Sequence, residues 1–315
     1  MFRLPFFIHF FLLFCCFMEP ALAEPYTSPH AHSSERRVWG AVLPASAASS
    51  SSFETAGLFF AKKEPASPEP ATALPPWLEH AVPIPDIEEE TPMIAIVIDD
   101  LGVNRSMTRA VLSLPAPITA SFLAYADDLQ KQAETAQSKG HELLLHAPME
   151  PINSHFDPGT NALRSDMSEE EILQKLDLML SSFTGYVGLN NHMGSKFTAN
   201  KRAVSIVINE LKKRGLLFLD SLTSADSVAW KSARDKHVPY AVRDVFLDNS
   251  LDEADIMAQL SLLEKRALKH HTAVGIGHPH KATVKALKKW IPQARKKGLV
   301  FVPISMIALV RQDAF

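Results

Sequence analysis

Ile94-Ala95-Ile96-Val97-Ile98-Asp99-Asp100-Leu101-Gly102 is an apolar run that ends on two adjacent carboxylates. No polar residue interrupts 94–98, and four of its five residues are β-branched. That pattern suits a strand buried on both faces, as the strands of a parallel sheet are. A pair of aspartates is costly at the end of such a strand unless a cation or a shared proton relieves their repulsion.

The same grammar recurs outward from this stretch. Strand-like runs are predicted at 93–98, 118–123, 142–145, 186–189, 216–219, 240–246, 273–276 and 299–302. Amphipathic helices fit 105–113, 129–138, 201–214, 253–270 and 283–297 between them. A further helix opens at Ser168, with Glu171 three residues on as a capping box and Ile172, Leu176, Met179 and Leu180 on one face. Gly140, Gly215 and Gly298 stand where helix C-caps are expected. Strand–helix alternation repeated about seven times predicts a parallel α/β architecture. A barrel and an open doubly wound sheet both fit, and in either the ligand sits at the carboxyl ends of the strands.

Those ends carry the chemistry. The first strand leads into Asp99-Asp100, the third into His146-Ala147-Pro148-Met149-Glu150, and the fourth into Asn190-Asn191-His192. Leu219 is followed by Asp220, and Ile276 by Gly277-His278. One aspartate after a strand is commonly a helix N-cap, and one histidine is commonly structural. Five converging ends are a different matter, because only 13 of the 315 residues are histidine and three strands lead into one. Asp and His together suit a hard or borderline divalent cation. His270 and His271 close a helix, His237 and His155 lie in loops, and His30, His32 and His80 precede the strands.

Composition bounds the rest. The chain is 46% hydrophobic and 21% charged, enough for one large core. A net charge of −3 gives no reason to expect a nucleic-acid partner. Residues 1–23 have the form of a secretory signal: Arg3, a run from Pro5 to Met18 that is apolar apart from His9, then Ala21-Leu22-Ala23 before a cut at Glu24. The run is too short for a membrane span, so no stable span is expected once the signal is cleaved, and an exported domain is. Both cysteines, Cys15 and Cys16, lie in this segment, so any metal is left to His, Asp or Glu. Residues 24–91, rich in Ala, Ser, Pro and Glu, predict a disordered linker, and 92–315 the folded domain.

From Met93 to about Leu309 the chain resembles the divergent polysaccharide deacetylases. The motifs that carry the resemblance are Ile98-Asp99-Asp100-Leu101-Gly102, His146-Ala147-Pro148-Met149-Glu150-Pro151, Asn190-Asn191-His192-Met193-Gly194-Ser195, Asp220-Ser221-Leu222-Thr223-Ser224 and Gly275-Ile276-Gly277-His278. The resemblance implies a distorted (β/α) barrel of about seven parallel strands and hydrolysis of acetyl groups on a glycan. It implies Asp99 as the general base that takes a proton from water. It implies Asp100 and His146 as ligands of a divalent metal, Zn²⁺ being expected, and His192 is the natural candidate to complete the set. It implies His278, held by Asp220, as the acid toward the leaving nitrogen or oxygen. Two positions depart from the wider superfamily. Glu150 stands where its second histidine ligand falls, so either Glu150 or His192 is the third ligand. No arginine stands in the segment around Asn190, where one normally orients the base, so Asn190 or Asn191 is the candidate partner of Asp99. These departures leave room for a catalytically degenerate domain that binds a glycan or an envelope protein. Hydrolysis of another amide or a phosphoester is a further alternative, although no Gly-rich phosphate cradle opens a helix.

Overall fold

The computed structural model describes residues 74–88, 90–115 and 117–313. The predicted signal and the predicted linker as far as residue 73 lie outside the described residues. In chain order the elements are α1 (Pro76–Glu79), β1 (Met93–Leu101), α2 (Arg105–Val111), β2 (Thr119–Leu123), α3 (Leu129–Gln137), β3 (Glu142–Met149), α4 (Glu169–Leu180), β4 (Gly188–Met193) and α5 (Lys201–Arg214). Then follow β5 (Leu217–Asp220), α6 (Ala229–Asp235), β6 (Tyr240–Val242), β7 (Val245–Phe246), α7 (Glu253–His270), β8 (Thr272–Gly277), α8 (Lys281–Lys296), β9 (Val300–Phe301) and α9 (Ile304–Asp313). The capping box before α4 forms in both directions: Ser168 N–H donates to Glu171 at 2.7 Å and Glu171 N–H to Ser168 Oγ at 3.2 Å. Gly215 closes α5 at φ 63°, a left-handed conformation that costs glycine nothing.

Every ladder is parallel, in the order β6-β5-β4-β3-β2-β1-β8-β7, with β9 added at the start of β1. The two edge strands, β6 and β7, are neighbours in the chain. Only Arg243 and Asp244 separate them, so the edges lie within roughly 10 Å of each other. Arg243 N–H donates back to Asp220 on β5 at 3.0 Å, and Asp244 N–H donates forward to Val274 on β8 at 2.9 Å. The sheet is therefore curled into a distorted (β/α) barrel whose seam is crossed by the chain itself. The run predicted as one strand at 240–246 is two short strands on opposite sides of that seam.

The alternation of strand side chains sorts the core into two layers. On β1, Ile94, Ile96 and Ile98 face the surrounding helices, while Met93, Ala95 and Val97 join the barrel interior. Leu144, Leu217, Leu219, Val274 and Ile276 share that interior. Helix α9 closes its amino-terminal end. Ile304 N–H donates to Thr119 and Ser305 N–H to Glu142, the first residues of β2 and β3, and Arg311 reaches Thr272, the first residue of β8.

Ordered structure begins before the predicted boundary at 92. Trp77 on α1 and Ile87 are buried in the interior cluster, and Trp77 N–H donates to Gly215 O at 3.1 Å. The proline content of 74–91 signals a linker by composition. Pro76 instead starts a helical turn, where its missing N–H costs nothing, and one buried tryptophan removes a large apolar area from water. No helix among the described residues is long and apolar enough to cross a membrane.

Candidate metal centre

The polar cluster sits where the inward faces of the strands reach the carboxyl end of the barrel. Parity puts Asp99 on the face of Ala95 and Val97, and Asp100 should then point away. The register between β1 and β2 slips by one residue between Ile98 and Leu101, and Asp100 takes φ 56°. This is a β-bulge, which re-aims a side chain that strict alternation would send outward. Both members of the Asp99-Asp100 pair therefore reach the cluster.

Asp100 Oδ1 lies 2.8 Å from His192 Nδ1 and 3.3 Å from His146 Nε2. Among the described residues, Asp100, His146 and His192 form a group whose ligand-capable atoms all lie within 4.8 Å of one another. Asp100 Oδ1 is buried yet makes no hydrogen bond. A buried anionic oxygen without a donor, faced by two imidazole nitrogens, is the arrangement a bound cation resolves. One carboxylate and two imidazoles suit a borderline divalent ion and leave a coordination position open. Burial pushes the Asp100 carboxyl up, but the imidazoles of His146 and His192 outweigh it and hold it below the usual carboxylate range. Burial likewise opposes a cationic His146, and the charges of Asp99 and Asp100 more than offset it, so its pKa is raised.

Asp99 is 2% exposed, and its Oδ2 lies 3.6 Å from His146 Nε2. Its Oδ1 accepts from Asn190 Nδ2 at 2.9 Å. Of the two asparagines considered as partners of Asp99, Asn190 is the one in contact. Asn191 instead accepts from Ser221 N–H and donates to Met193 O.

His278 closes the other flank, with Nε2 4.0 Å from Asp100 Oδ2. Its partner is Asp248 and not the expected Asp220. His278 donates from Nδ1 to Asp248 Oδ1 at 3.0 Å and from its backbone N–H to Oδ2 at 2.6 Å, and Thr283 Oγ adds a third donor at 2.7 Å. Burial lowers the His278 pKa, but the bond to Asp248 and the charges of Asp99 and Asp100 bring it up to about 9. Parity explains the correction. Leu217 and Leu219 of β5 face the interior, so Asp220 points out with Phe218. Its carboxylate accepts from Ser227 Oγ, Leu222 N–H and Trp230 N–H, which ties the loop before α6. Asp248 was reachable from sequence by the same strand-end rule, since Val245-Phe246-Leu247 runs into it. Reading 240–246 as one strand hides it.

The domain model for divergent polysaccharide deacetylase matches residues 96–308. The chain belongs to the divergent polysaccharide deacetylase family. It is 36% identical over 198 residues to the uncharacterized protein YibQ of Escherichia coli, an alignment covering 63% of this chain and 62% of that relative. This chain thus spans less than two thirds of YibQ. An uncharacterized Haemophilus influenzae protein is 32% identical over 196 residues, covering 62% of this chain and 69% of that one. A crystal structure of an uncharacterized protein from Agrobacterium tumefaciens superposes with a TM-score of 0.72 at 30% identity, covering 76% of this chain and 97% of that one.

Within this divergent deacetylase domain, Glu150 is not part of the cation group. Burial opposes its ionisation, but Ser165 and Lys196 bring its carboxyl down to about 2. Oε2 accepts from Ser165 N–H and Oγ, and Oε1 accepts from Lys196 Nζ at 2.9 Å. Glu150 therefore ties two loops of the deacetylase fold together, and of the two candidates His192 is the one grouped with Asp100 and His146. His155, also in this region, is exposed and bonded to Asn153.

Proposed function

We propose that this chain is a metal-dependent hydrolase that removes acetyl groups from a glycan of the cell envelope. The observation that carries the proposal is the Asp100–His146–His192 group around a donorless buried oxygen, with Asp99 and His278 at its margins. Asp100, His146 and His192 would hold a divalent ion, with Zn²⁺ favoured by the donor set. When bound, such an ion polarises the acetyl carbonyl and acidifies water.

The protein's own groups supply the proton steps. Asp99 keeps Oδ2 free because Asn190 occupies Oδ1, so Oδ2 is the oxygen that takes the proton of the attacking water. His278 is held protonated beside Asp248 and gives its Nε2 proton to the departing nitrogen or oxygen. Acetate leaves, and the glycan amine or hydroxyl is restored. Export to the periplasm or the extracellular space belongs to the same proposal and is supported by the signal-like sequence at 1–23.

The reading of a catalytically degenerate binding domain drew on Glu150 and on the absent arginine. His192 beside Asp100 and Asn190 beside Asp99 offer residues for both places, and no observation favours the binding domain over the hydrolase. The test is to load the purified protein with Zn²⁺ and measure acetate release from acetylated oligosaccharides, beside Asp99→Asn. Release by the wild type, with Asp99→Asn binding metal but losing release, is the expected result. Metal binding without any release would overturn the hydrolase and leave glycan binding.

A further inference from the structure

Asn190 has no exposed surface and touches four polar partners on four other strands or strand ends. Its Oδ1 accepts from Ser121 Oγ at 2.6 Å and lies 2.9 Å from His146 Nδ1. Its Nδ2 donates to Asp99 Oδ1 at 2.9 Å and to Ser221 Oγ at 3.0 Å. A primary amide offers two donors and an acceptor oxygen with two lone pairs, so this side chain is fully used.

The partners are not equal in what they dictate. Ser121 and Ser221 carry hydroxyls, which can donate or accept, and so permit either orientation of the amide. Asp99 Oδ1 is the acceptor of its pair with Asn190. Turning the amide over would set two oxygens against each other at 2.9 Å in a site without water exposure. The NH₂ group therefore faces Asp99 and the oxygen faces His146. That oxygen can only accept, so His146 carries a proton at Nδ1, and in the neutral ring the lone pair is at Nε2. Nε2 is the nitrogen that looks toward Asp100 Oδ1. The pairing of ring and amide is set by the ladder itself, since His146 and Asn190 are register partners on β3 and β4.

We infer that Asn190 is a positioning residue that sets two things with one amide: the free oxygen of the base Asp99 and the ligand-competent tautomer of His146. This rests on the ligand role of His146 proposed above. A histidine's second nitrogen generally decides which nitrogen is metallated, and loss of such a partner weakens metal binding. Here that partner is also the base's anchor, so the metal site and the proton acceptor cannot be aligned independently.

Two variants separate the halves of this claim. Asn190→Leu keeps the volume and removes both functions. Asn190→Asp keeps an acceptor for His146 and removes the donor to Asp99. The tautomer is read by nitrogen-15 NMR of the histidine side chains, in metal-free protein at alkaline pH and again with Zn²⁺. Zinc affinity is read by competition with a chromophoric chelator. Asn190→Leu is expected to show mixed His146 tautomers and about 10- to 100-fold weaker zinc binding. Asn190→Asp is expected to keep the Nδ1–H tautomer and near-wild-type zinc affinity while losing acetate release. Equal losses in both variants would reduce Asn190 to packing and overturn the inference, as would a single Nδ1–H tautomer persisting in Asn190→Leu. If Asn190→Leu does not fold, loss of the tautomer in Asn190→Asp would still overturn it. The tautomer and affinity readouts hold whether or not the wild type releases acetate, so failure of the deacetylase proposal is seen separately.

Discussion

The imidazole of His278 donates from Nδ1 to Asp248 Oδ1 at 3.0 Å, and its own backbone N–H donates to Asp248 Oδ2 at 2.6 Å. One carboxylate thus holds both the ring and the backbone of the proposed acid. Asp248→Asn is expected to lower acetate turnover about 10²- to 10⁴-fold, the span of a general-acid contribution, with zinc affinity little changed. Asp220→Asn is expected to do the reverse. It leaves an NH₂ group facing the donors at Ser227, Leu222 and Trp230, which costs about 1–3 kcal/mol of stability. Turnover by the folded protein should stay near wild type. Parallel turnover and denaturation measurements on the pair decide which aspartate serves the histidine.

The third-ligand question divides His192 from Glu150 in the same manner. His192→Ala removes a nitrogen 2.8 Å from Asp100 Oδ1 and is expected to weaken zinc binding by at least about tenfold. Glu150→Ala removes the carboxylate that joins Ser165 and Lys196, which lies outside the Asp100–His146–His192 group. It should lower the melting temperature and leave zinc affinity unchanged. Weaker zinc binding in Glu150→Ala with intact binding in His192→Ala would reverse the assignment.

Much of this arrangement is legible from residue order. Most of the strands read correctly, 240–246 excepted, because a parallel sheet buried on both faces produces continuous apolar runs such as 94–98. Asp99, Asp100, His146, His192 and His278 follow from the rule that ligands gather at strand ends. What cannot be read is parity relative to the core. Asp220 ends a strand as Asp100 does, yet one faces the helices and the other the cluster, and only the bulge at φ 56° makes the difference for Asp100. Helix α9 carries no clear amphipathic period because Ile304, Met306, Ile307 and Ala308 are all buried in the barrel's base. Helix α6 is only seven residues long and is held by the outward-facing Asp220, so its cause lies in tertiary structure.

Glu142 gives a pH dependence at the opposite end of the barrel from the metal group. Burial raises its carboxyl pKa from 4.5 to about 7, and the donors from Ser305 only partly oppose the shift. The folded state therefore binds a proton between these values that the unfolded chain has released. By linkage, stability from this group is fully present below about pH 4.5 and is lost as pH rises to about 7. The loss is on the order of 3 kcal/mol at most. Glu142→Gln should remove it. The unfolding free energy of the wild type minus that of the variant, followed by denaturant titration across this interval, should fall as pH rises. A flat difference would mean that Glu142 is ionised throughout.

The seam of the barrel rests on Arg311, which α9 presents to both of its sides. Its guanidinium donates to Asp244 Oδ2 at 2.6 Å, to Val242 O at 3.2 Å and to Thr272 Oγ at 3.2 Å. Asp244 Oδ2 also accepts from Val274 N–H at 2.7 Å. One cation therefore joins the end of β6, the crossover and the start of β8, where no ladder closes the sheet. Arg311→Ala leaves Asp244 without its cation, and the pair is partly exposed, so the expected cost is about 1–3 kcal/mol. The effect should be local as well as global. The crossover leads within a few residues to Phe246, whose ring lies 5.2 Å from that of His278, and to Asp248. Hydrogen exchange in Arg311→Ala is expected to rise first in β6, β7 and the start of β8, with β1 to β4 still protected. Uniform loss of protection would show that the seam unfolds only with the whole barrel and that Arg311 is not its latch.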